Sequence, residues 1–347
     1  FFILAINPGS TSTEIGYFNQ TKKVWSKKVD HSSQNLPSEI VDQIEPRFQQ
    51  LMHEVKIDQL HAIAARGGLL KPVPGGVYKV NQTMINDLSA GRYGTHASNL
   101  GAMVASSLSK QFNVNSYIVD PVTTDDFPPI ARISGVPGIE RKSRSHALNI
   151  KYCFRKACSQ LEKDPKTTSM IVCHLGGGFS IAVVQGGKII DVNDALLGMG
   201  PFSIERAGAM PIAGLLSLAY QNEYSKKEIE KFLSKQCGLK GYLGTNDFKL
   251  IEKQILKRDS KTVSIFEAMV YQIVKEIGSG YGVLNGNCDG VIFTGGLSHS
   301  PILQTKLKEK LEFIKPIFIY PGSFELEALC DGVLQVLNNQ EKPKHYS

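Results

Sequence analysis

Residues 170–192 read MIVCHLGGGFSIAVVQGGKIIDV, and the fold is decided there. Met170 to Leu175 is an apolar run that stops at Gly176-Gly177-Gly178. Phe179 to Val184 follows, Gly186-Gly187 makes a hairpin turn, and Lys188 to Val192 closes the unit. The syntax is strand, glycine loop, strand, tight turn, strand. The chain opens in the same way. FFILAI (1–6) runs into Asn7-Pro8-Gly9-Ser10-Thr11-Ser12, then come Ile15 to Phe18, a turn at Asn19-Gln20, and Lys22 to Val29. Two such meanders suggest one architectural unit used twice. A third apolar run, Gly290 to Phe293, ends at Thr294-Gly295-Gly296, and Pro301 opens a Lys-rich helix.

Helical periodicity fills the intervals. Ile265, Met269, Ile273 and Ile277 repeat every four residues within Thr262 to Leu284, and Ile150, Phe154, Ala157 and Leu161 share a face within Ser145 to Leu161. A further helix is expected within Ser38 to Val55, kinked or started by Pro46. Strands mixed with helices in two halves make an α/β protein with ligand loops at strand ends. The length of 347 residues points to two domains.

Composition excludes several classes. With 42% hydrophobic and 20% charged residues and a mean hydropathy of −0.12, the chain is neither disordered nor lipid-facing. The net charge of +7 favours anionic ligands, but no block of five or six like charges marks a nucleic-acid partner. Phe1 to Ile6 is too short for a signal peptide or a membrane span and reads as a buried strand. The six cysteines, at 153, 158, 173, 237, 288 and 330, form no C-x-x-C pair and no zinc-like cluster. They read as reduced thiols of a cytoplasmic protein.

Polyphosphate is held by backbone N–H groups and hydroxyls, and glycine lets the backbone come close because no Cβ intervenes. Three turns of that kind come after apolar strands here: Asn7 to Ser12 with three hydroxyls, Gly176-Gly177-Gly178 as bare backbone, and Gly295-Gly296. The G-x-x-x-x-G-K-[ST] loop is missing, and the segment after Ser12 has strand character, which argues against a P-loop NTPase. The first strand-to-loop junction also lacks the G-x-G-x-x-G fingerprint of dinucleotide-binding folds. Arg66 precedes Gly67-Gly68, and Arg206 precedes Ala207-Gly208. Each arginine therefore stands in a small-residue segment with room for an anion.

The segments INPGSTST (6–13), RGGLLKPVPGGVY (66–78), THASNLGA (95–102), VDPV (119–122), RKSRSHALN (141–149), HLGGGFSIA (174–182), GPFSIERAG (200–208), FTGGLSHS (293–300) and YPGSFELEAL (320–329) resemble, in order and spacing, the butyrate kinases of the acetate/butyrate kinase family. The resemblance covers essentially the whole chain. It implies the two-domain actin-like ATPase (ribonuclease H-like) fold, each domain a mixed sheet with flanking helices and the nucleotide in the cleft between them. The domains implied are 1–145, with the helix of 324–347 packing back on it, and 146–323, which would carry the nucleotide and the contacts of a homodimer. The activity implied is phosphorylation of a short-chain fatty acid by ATP, with Mg²⁺, to an acyl phosphate, and the reverse.

The resemblance also assigns roles. Arg66, Arg206, His146 and Asp120 would be catalytic, with Arg66, Gly68 and His96 binding the acid. Asn7, Ser10, Ser12, His174, Gly176, Gly177, Gly178, Gly295 and Gly296 would hold phosphate and nucleotide, and Glu325, Asn7 and Asp120 would orient the metal. Gly68 stands where acetate kinases carry a bulky aliphatic residue, so it is expected to lengthen the acyl pocket. Three positions depart from the pattern: Glu14 where lysine is expected, and Leu197 and Met199 where acids are expected. A carboxylate acceptor is already ionised and needs cations rather than a base. A hydroxyl-directed kinase of the same fold would instead need a carboxylate base, for which Asp125 and Asp126 are the nearby candidates. A nucleotide-driven assembly protein of the actin or Hsp70 kind is a third reading.

Overall fold

The computed structural model describes residues 1–32, 36–37, 39–221 and 224–347. They form two compact units. The first comprises Phe1–Asp126, Ala147–Tyr152 and Phe324–Ser347, and the second Phe127–His146 and Cys153–Ser323.

The first unit contains strands β1 (Phe2–Pro8), β2 (Ser12–Asn19), β3 (Lys22–Asp30), β4 (Ala62–Arg66), β5 (Val77–Lys79) and β6 (Asn115–Val119). Its helices are α1 (Ile44–Glu54), α2 (Gln82–Ser89), α3 (Asn99–Phe112) and, much later in the chain, α12 (Glu325–Leu337). The sheet order is β3-β2-β1-β4-β6-β5, with β1, β4 and β6 parallel to one another and the outer strands antiparallel. Ile3, Leu4, Ala5 and Ile6 are all fully buried because both faces of β1 are covered. Strand alternation sends Leu4 and Ile6 into a core with Leu51, Leu100 and Met103, and Ile3 and Ala5 into another with Leu326, Leu329 and Val333 of α12. Helix α1 comes after a short turn of 3₁₀-helix at Val41–Gln43 and carries Pro46 in its first turn, where the missing N–H breaks no helical bond. Ser38, the first residue of the expected helical stretch, lies outside the described residues.

The second unit holds α4 (Pro129–Arg132), β7 (Ser169–Leu175), β8 (Phe179–Gln185), β9 (Lys188–Val192), β10 (Val291–Gly295) and β11 (Ile317–Pro321). Its longer helices are α6 (Ile212–Gln221), α7 (Lys226–Lys235), α8 (Gly238–Leu243), α9 (Phe248–Leu256), α10 (Ser260–Val283) and α11 (Pro301–Lys310). Helix α5 (Ala147–Gln160) is counted with the first unit up to Tyr152 and with the second from Cys153. Residues 127–145, which the sequence reading puts in the first domain, pack in the second unit. Arg141 forks onto Asp191 at 2.5 and 3.0 Å, and the Ala195 N–H donates to the Arg144 carbonyl. In the periodic stripe of α10, Met269, Ile273 and Ile277 are fully buried against Ile171, Val183 and Phe293.

The sheet order here is β11-β10-β7-β8-β9, so β9-β8-β7-β10-β11 repeats the antiparallel and parallel pattern of β3-β2-β1-β4-β6. The duplication read from two meanders therefore extends to five strands. No helix among the described residues is long and apolar enough to cross a membrane.

Candidate active site

In a mixed sheet of this kind ligands gather outside the carboxyl ends of the parallel strands. In the first unit those ends belong to β1, β4 and β6. Ile6 pairs with Ala65 and Arg66 with Val119, so the register sets Asn7, Arg66 and Asp120 on neighbouring strand ends. Arg66 donates to the carboxylate of Glu325, the first residue of α12. Burial lowers the Arg66 guanidinium to about 10, which still leaves it charged at neutral pH. Just before α3, the Nδ1 of His96 lies 2.8 Å from Ser98 Oγ. Desolvation lowers the pKa of His96, and the Arg66 charge lowers it further, so the ring is neutral at pH 7.

Asp120 closes β6 with φ at +37°, a left-handed conformation that is uncommon away from glycine. Its carboxylate accepts the Gly76 N–H at 2.8 Å and lies 3.1 Å from the Lys151 ammonium. Lys151 is also 3.4 Å from Asp126, which accepts the Gly75 N–H at 2.8 Å. A Cβ on Gly75 would stand 2.9 Å from an oxygen of each aspartate and would overlap Lys151 Nζ. The Gly75-Gly76 pair thus lets a buried lysine and two aspartates sit against the backbone. The sequence reading missed Lys151. Its one available signal was the glycine pair, which reads equally well as a plain turn.

Gly68 calls for a correction. A Cβ there would meet Asn99 Cα at 2.5 Å and Leu88 Cδ2 at 2.8 Å. The glycine is set by the close approach of α3, and it opens no pocket of its own. Of the residues assigned to the metal, Glu325 holds Arg66 and Asp120 lies beside Lys151. Magnesium keeps several waters and takes one or two protein carboxylates, so these two acids would meet it largely through its waters.

The first loop, 7–12, is closed by the Gly9 N–H donating to the Ser12 carbonyl at 2.7 Å, and it is backed by Arg47 of α1, a second residue that sequence reading missed. Ser10 is exposed and Ser12 half-buried. Glu14 lies opposite Asn7 in the β1–β2 register, exposed.

In the second unit, β7 delivers His174 to the start of the glycine loop. Its ring stacks on that of His146 with centroids 3.9 Å apart and planes 8° from parallel. His146 precedes α5, with Nδ1 2.9 Å from Ser180 Oγ on β8. Ser203 Oγ donates to the Gly177 carbonyl at 2.6 Å, and Arg206 donates to the Ala195 carbonyl. A Cβ on Gly178 would overlap the Arg206 guanidinium, so the cation lies directly over the loop backbone. The sequence expectation reads Ala207-Gly208 as leaving room for an anion beside Arg206. Gly208, at φ +64°, instead packs against Pro201 and Phe202 backbone, and Gly178 is the residue that admits Arg206. Thr294 pairs with His174, and Gly295, at φ +87°, sits against the Leu175 backbone, where a Cβ would come within 2.7 Å of Leu175 N. Gly296 begins the next turn. Leu197 and Met199 are exposed in the segment after β9, whose Leu196 N–H donates to Asp194 at 2.9 Å.

The predicted residues thus fall into two clusters, one in each unit. Asn7, Ser10, Ser12, Arg66, His96, Asp120 and Glu325 belong to the first unit; His146, His174, Gly176–Gly178, Arg206 and Gly295-Gly296 belong to the second. Each cluster combines glycine-loop backbone with a desolvated arginine, a combination suited to oxyanions.

The fold is similar to that of Porphyromonas gingivalis acetate kinase, with a TM-score of 0.78 and 18% identity over 97% of this chain and 99% of that one. It is similar to acetate kinase from Entamoeba histolytica, with a TM-score of 0.74 and 18% identity over 96% and 98%. A propionate kinase from Francisella tularensis subsp. tularensis SCHU S4 gives 0.71 and 19% over 95% and 98%. These likenesses establish the actin-like ATPase fold. The model of the acetokinase family matches residues 137–314.

Proposed function

Because this chain belongs to the acetokinase family, we propose that it moves a phosphoryl group between ATP and the carboxylate of a short-chain acid, butyrate or a branched four-carbon acid. The observation that carries the reading is the nature of the cations. Arg66 and Arg206 are both desolvated; the Arg206 guanidinium lies over the Gly178 backbone, and Arg66 is half-buried and held by Glu325. An ionised carboxylate attacking a phosphoryl group brings two anions together, and catalysis consists mostly of positioning and charge stabilisation.

In this reading Arg66 anchors the acid. Glu325 uses one end of the guanidinium and thereby fixes the orientation of the rest of the fork. Neutral His96 donates or accepts a hydrogen bond at the same acid. Ser10, Ser12 and the Gly176–Gly178 backbone hold phosphate oxygens, and Arg206 stabilises the charge that spreads over the transferring group. The stacked pair His146 and His174 donates to that group from the second unit. Gly295-Gly296 faces the nucleoside. Asp120, gripped by Lys151, acts by fixing the end of β6.

The four-carbon assignment rests on the nine sequence blocks, because Gly68 does not enlarge a pocket. Acetate or propionate is therefore the second reading. A hydroxyl-directed kinase would use Asp125 or Asp126 as base, and of the two Asp126 is engaged by the Gly75 amide and lies beside Lys151. Trapping acyl phosphate as hydroxamate, with ATP, Mg²⁺ and acids from C2 to C5, tests the proposal. A buried methylene contributes about 0.8 kcal/mol, so butyrate should exceed acetate roughly tenfold in kcat/KM. An acetate optimum would remove the four-carbon assignment. ADP release driven by a sugar, with no hydroxamate from any acid, would overturn the class.

A further inference from the structure

Arg47 lies on α1, outside every segment that carried the sequence resemblance, and it is 1% exposed. Its guanidinium is turned onto the underside of the first loop. Nη1 donates to the Gly9 carbonyl at 2.9 Å and to Thr13 Oγ1 at 3.2 Å. Nη2 donates to the Ser10 carbonyl at 2.7 Å and to Gln43 Oε1 at 2.9 Å. Its acceptors are carbonyl, hydroxyl and amide oxygens, and among the described residues no carboxylate pairs with it. The buried Nε has no hydrogen-bond partner among the described residues. Desolvation lowers its pKa without removing the charge.

A buried, permanently charged group with no counter-charge is costly and persists where something else supplies the opposite sign. Two further facts indicate where that charge comes from. The carbonyls of Gly9 and Ser10 are tied inward to Arg47, while the amides of Ser10 and Thr11 meet no acceptor among the described residues. The loop therefore turns its oxygens toward the hidden cation and keeps donors for another partner. In addition, Glu14 stands across from Asn7, so the exposed side of the loop carries a negative charge that would repel an anion unless a nearby cation offsets it.

We propose that Arg47 is a positioning residue for nucleotide phosphate: acting through the 7–12 loop, it orients the loop's donors and supplies the positive potential that Glu14 takes away, its counter-ion being the bound phosphate. This rests on the reading of that loop as a phosphate site. A unit charge acting across a few ångströms of partly desolvated protein changes anion affinity about tenfold or more.

Calorimetric titration of the full chain with ADP and with adenosine, which has no phosphate, tests it. Arg47→Gln should weaken ADP about tenfold or more and leave adenosine within about twofold, while Arg47→Lys, which keeps the charge, should retain most of the ADP affinity. Adding Glu14→Lys to Arg47→Gln should recover part of the loss, which a purely structural brace would not do. Unchanged ADP binding in Arg47→Gln, or equal loss of ADP and adenosine, overturns the proposal. If circular dichroism shows Arg47→Gln to be unfolded, folded Arg47→Lys decides: a tenfold loss of ADP affinity there overturns the charge argument. Failure of the carboxylate-kinase reading would appear separately, as no acyl phosphate from any acid, without touching the ADP and adenosine comparison.

Discussion

In the proposed function the two glycine loops do the same job by opposite means. The 7–12 loop of the first unit is rich in hydroxyls and is braced from behind by a buried arginine that no ligand could touch. The 176–178 loop of the second unit is bare backbone with an arginine laid over its face. Both follow the strand that pairs antiparallel on one side and parallel on the other, β1 or β7, in sheets that share a five-strand order, so the scaffold is common and the difference is local. The comparison shows that the same strand-loop-strand unit can have a cation placed on either side of its loop, behind it at Arg47 or over it at Arg206. The consequences differ. Charge behind a loop acts through the backbone and tunes affinity, whereas charge in front can follow the reacting atoms.

The largest expected effect tests that distinction directly. Removing the facing cation, Arg206→Ala, should lower kcat for acyl phosphate formation about 10²–10³-fold with a smaller change in the KM for the acid, the scale seen when one charge-stabilising donor is lost. Arg66→Ala should instead raise the KM of the acid most, as a substrate anchor would. Steady-state kinetics on both variants separates the cases. If the two show the same split between kcat and KM, the roles assigned to the two arginines are not distinct.

The next effect is smaller and concerns glycine alone. Gly178→Ala places a methyl where the Arg206 guanidinium lies, so the cation must move, and a displacement near 1 Å costs about 10²-fold in kcat/KM. Gly9→Ala meets the Ser12 carbonyl at 3.3 Å and Ser12 Oγ at 3.9 Å, contacts the loop can relax, and should change kcat/KM by about twofold. Equal losses for the two alanines would mean that the loops are not built on different principles.

These contrasts also mark how far the sequence could be read. The strands and loops were legible because apolar runs stop at glycine clusters, and Met269, Ile273 and Ile277 were legible as a helical stripe. Arg66 was legible through Gly67 and Gly68, but for the wrong reason at Gly68, whose small size serves the approach of Asn99. Gly178 admits Arg206 from 28 residues earlier in the chain, and no local pattern announces such a pairing. Arg47, in the segment IEPRFQQ, reads as a solvated charge on an amphipathic helix. Its burial depends on where α1 packs, which is tertiary information. Lys151 is hidden in the same way, since HALNIK gives no hint that two aspartates from 25 and 31 residues upstream will meet it. The strands β4 and β6 gave weak signals because both are short and buried on two faces, without the alternation that marks a half-exposed strand.

The smallest expected effect concerns the brace behind the first loop. His31 is fully buried, its N–H donates to the Thr11 carbonyl at 2.8 Å, and its ring lies 2.8 Å from Thr13 Oγ1 and against Gln50. Desolvation lowers its pKa below 6.5. Gln50 and Asp30 act to raise it, and the neighbouring Arg47 charge lowers it further. The folded protein therefore takes up this proton less readily than the unfolded chain. The stabilisation is complete above the unfolded value of about 6.5 and is lost as pH falls through it toward the folded value. Protonation would set a second cation beside Arg47 under the 7–12 loop, whereas the 176–178 loop has no counterpart behind it among the groups described above. Urea unfolding at pH 7.5 and 5.5 should show a loss of stability in the parent chain that is reduced in His31→Asn. A pH dependence identical in both would place the acid-sensitive group elsewhere and leave the brace behind the first loop indifferent to pH.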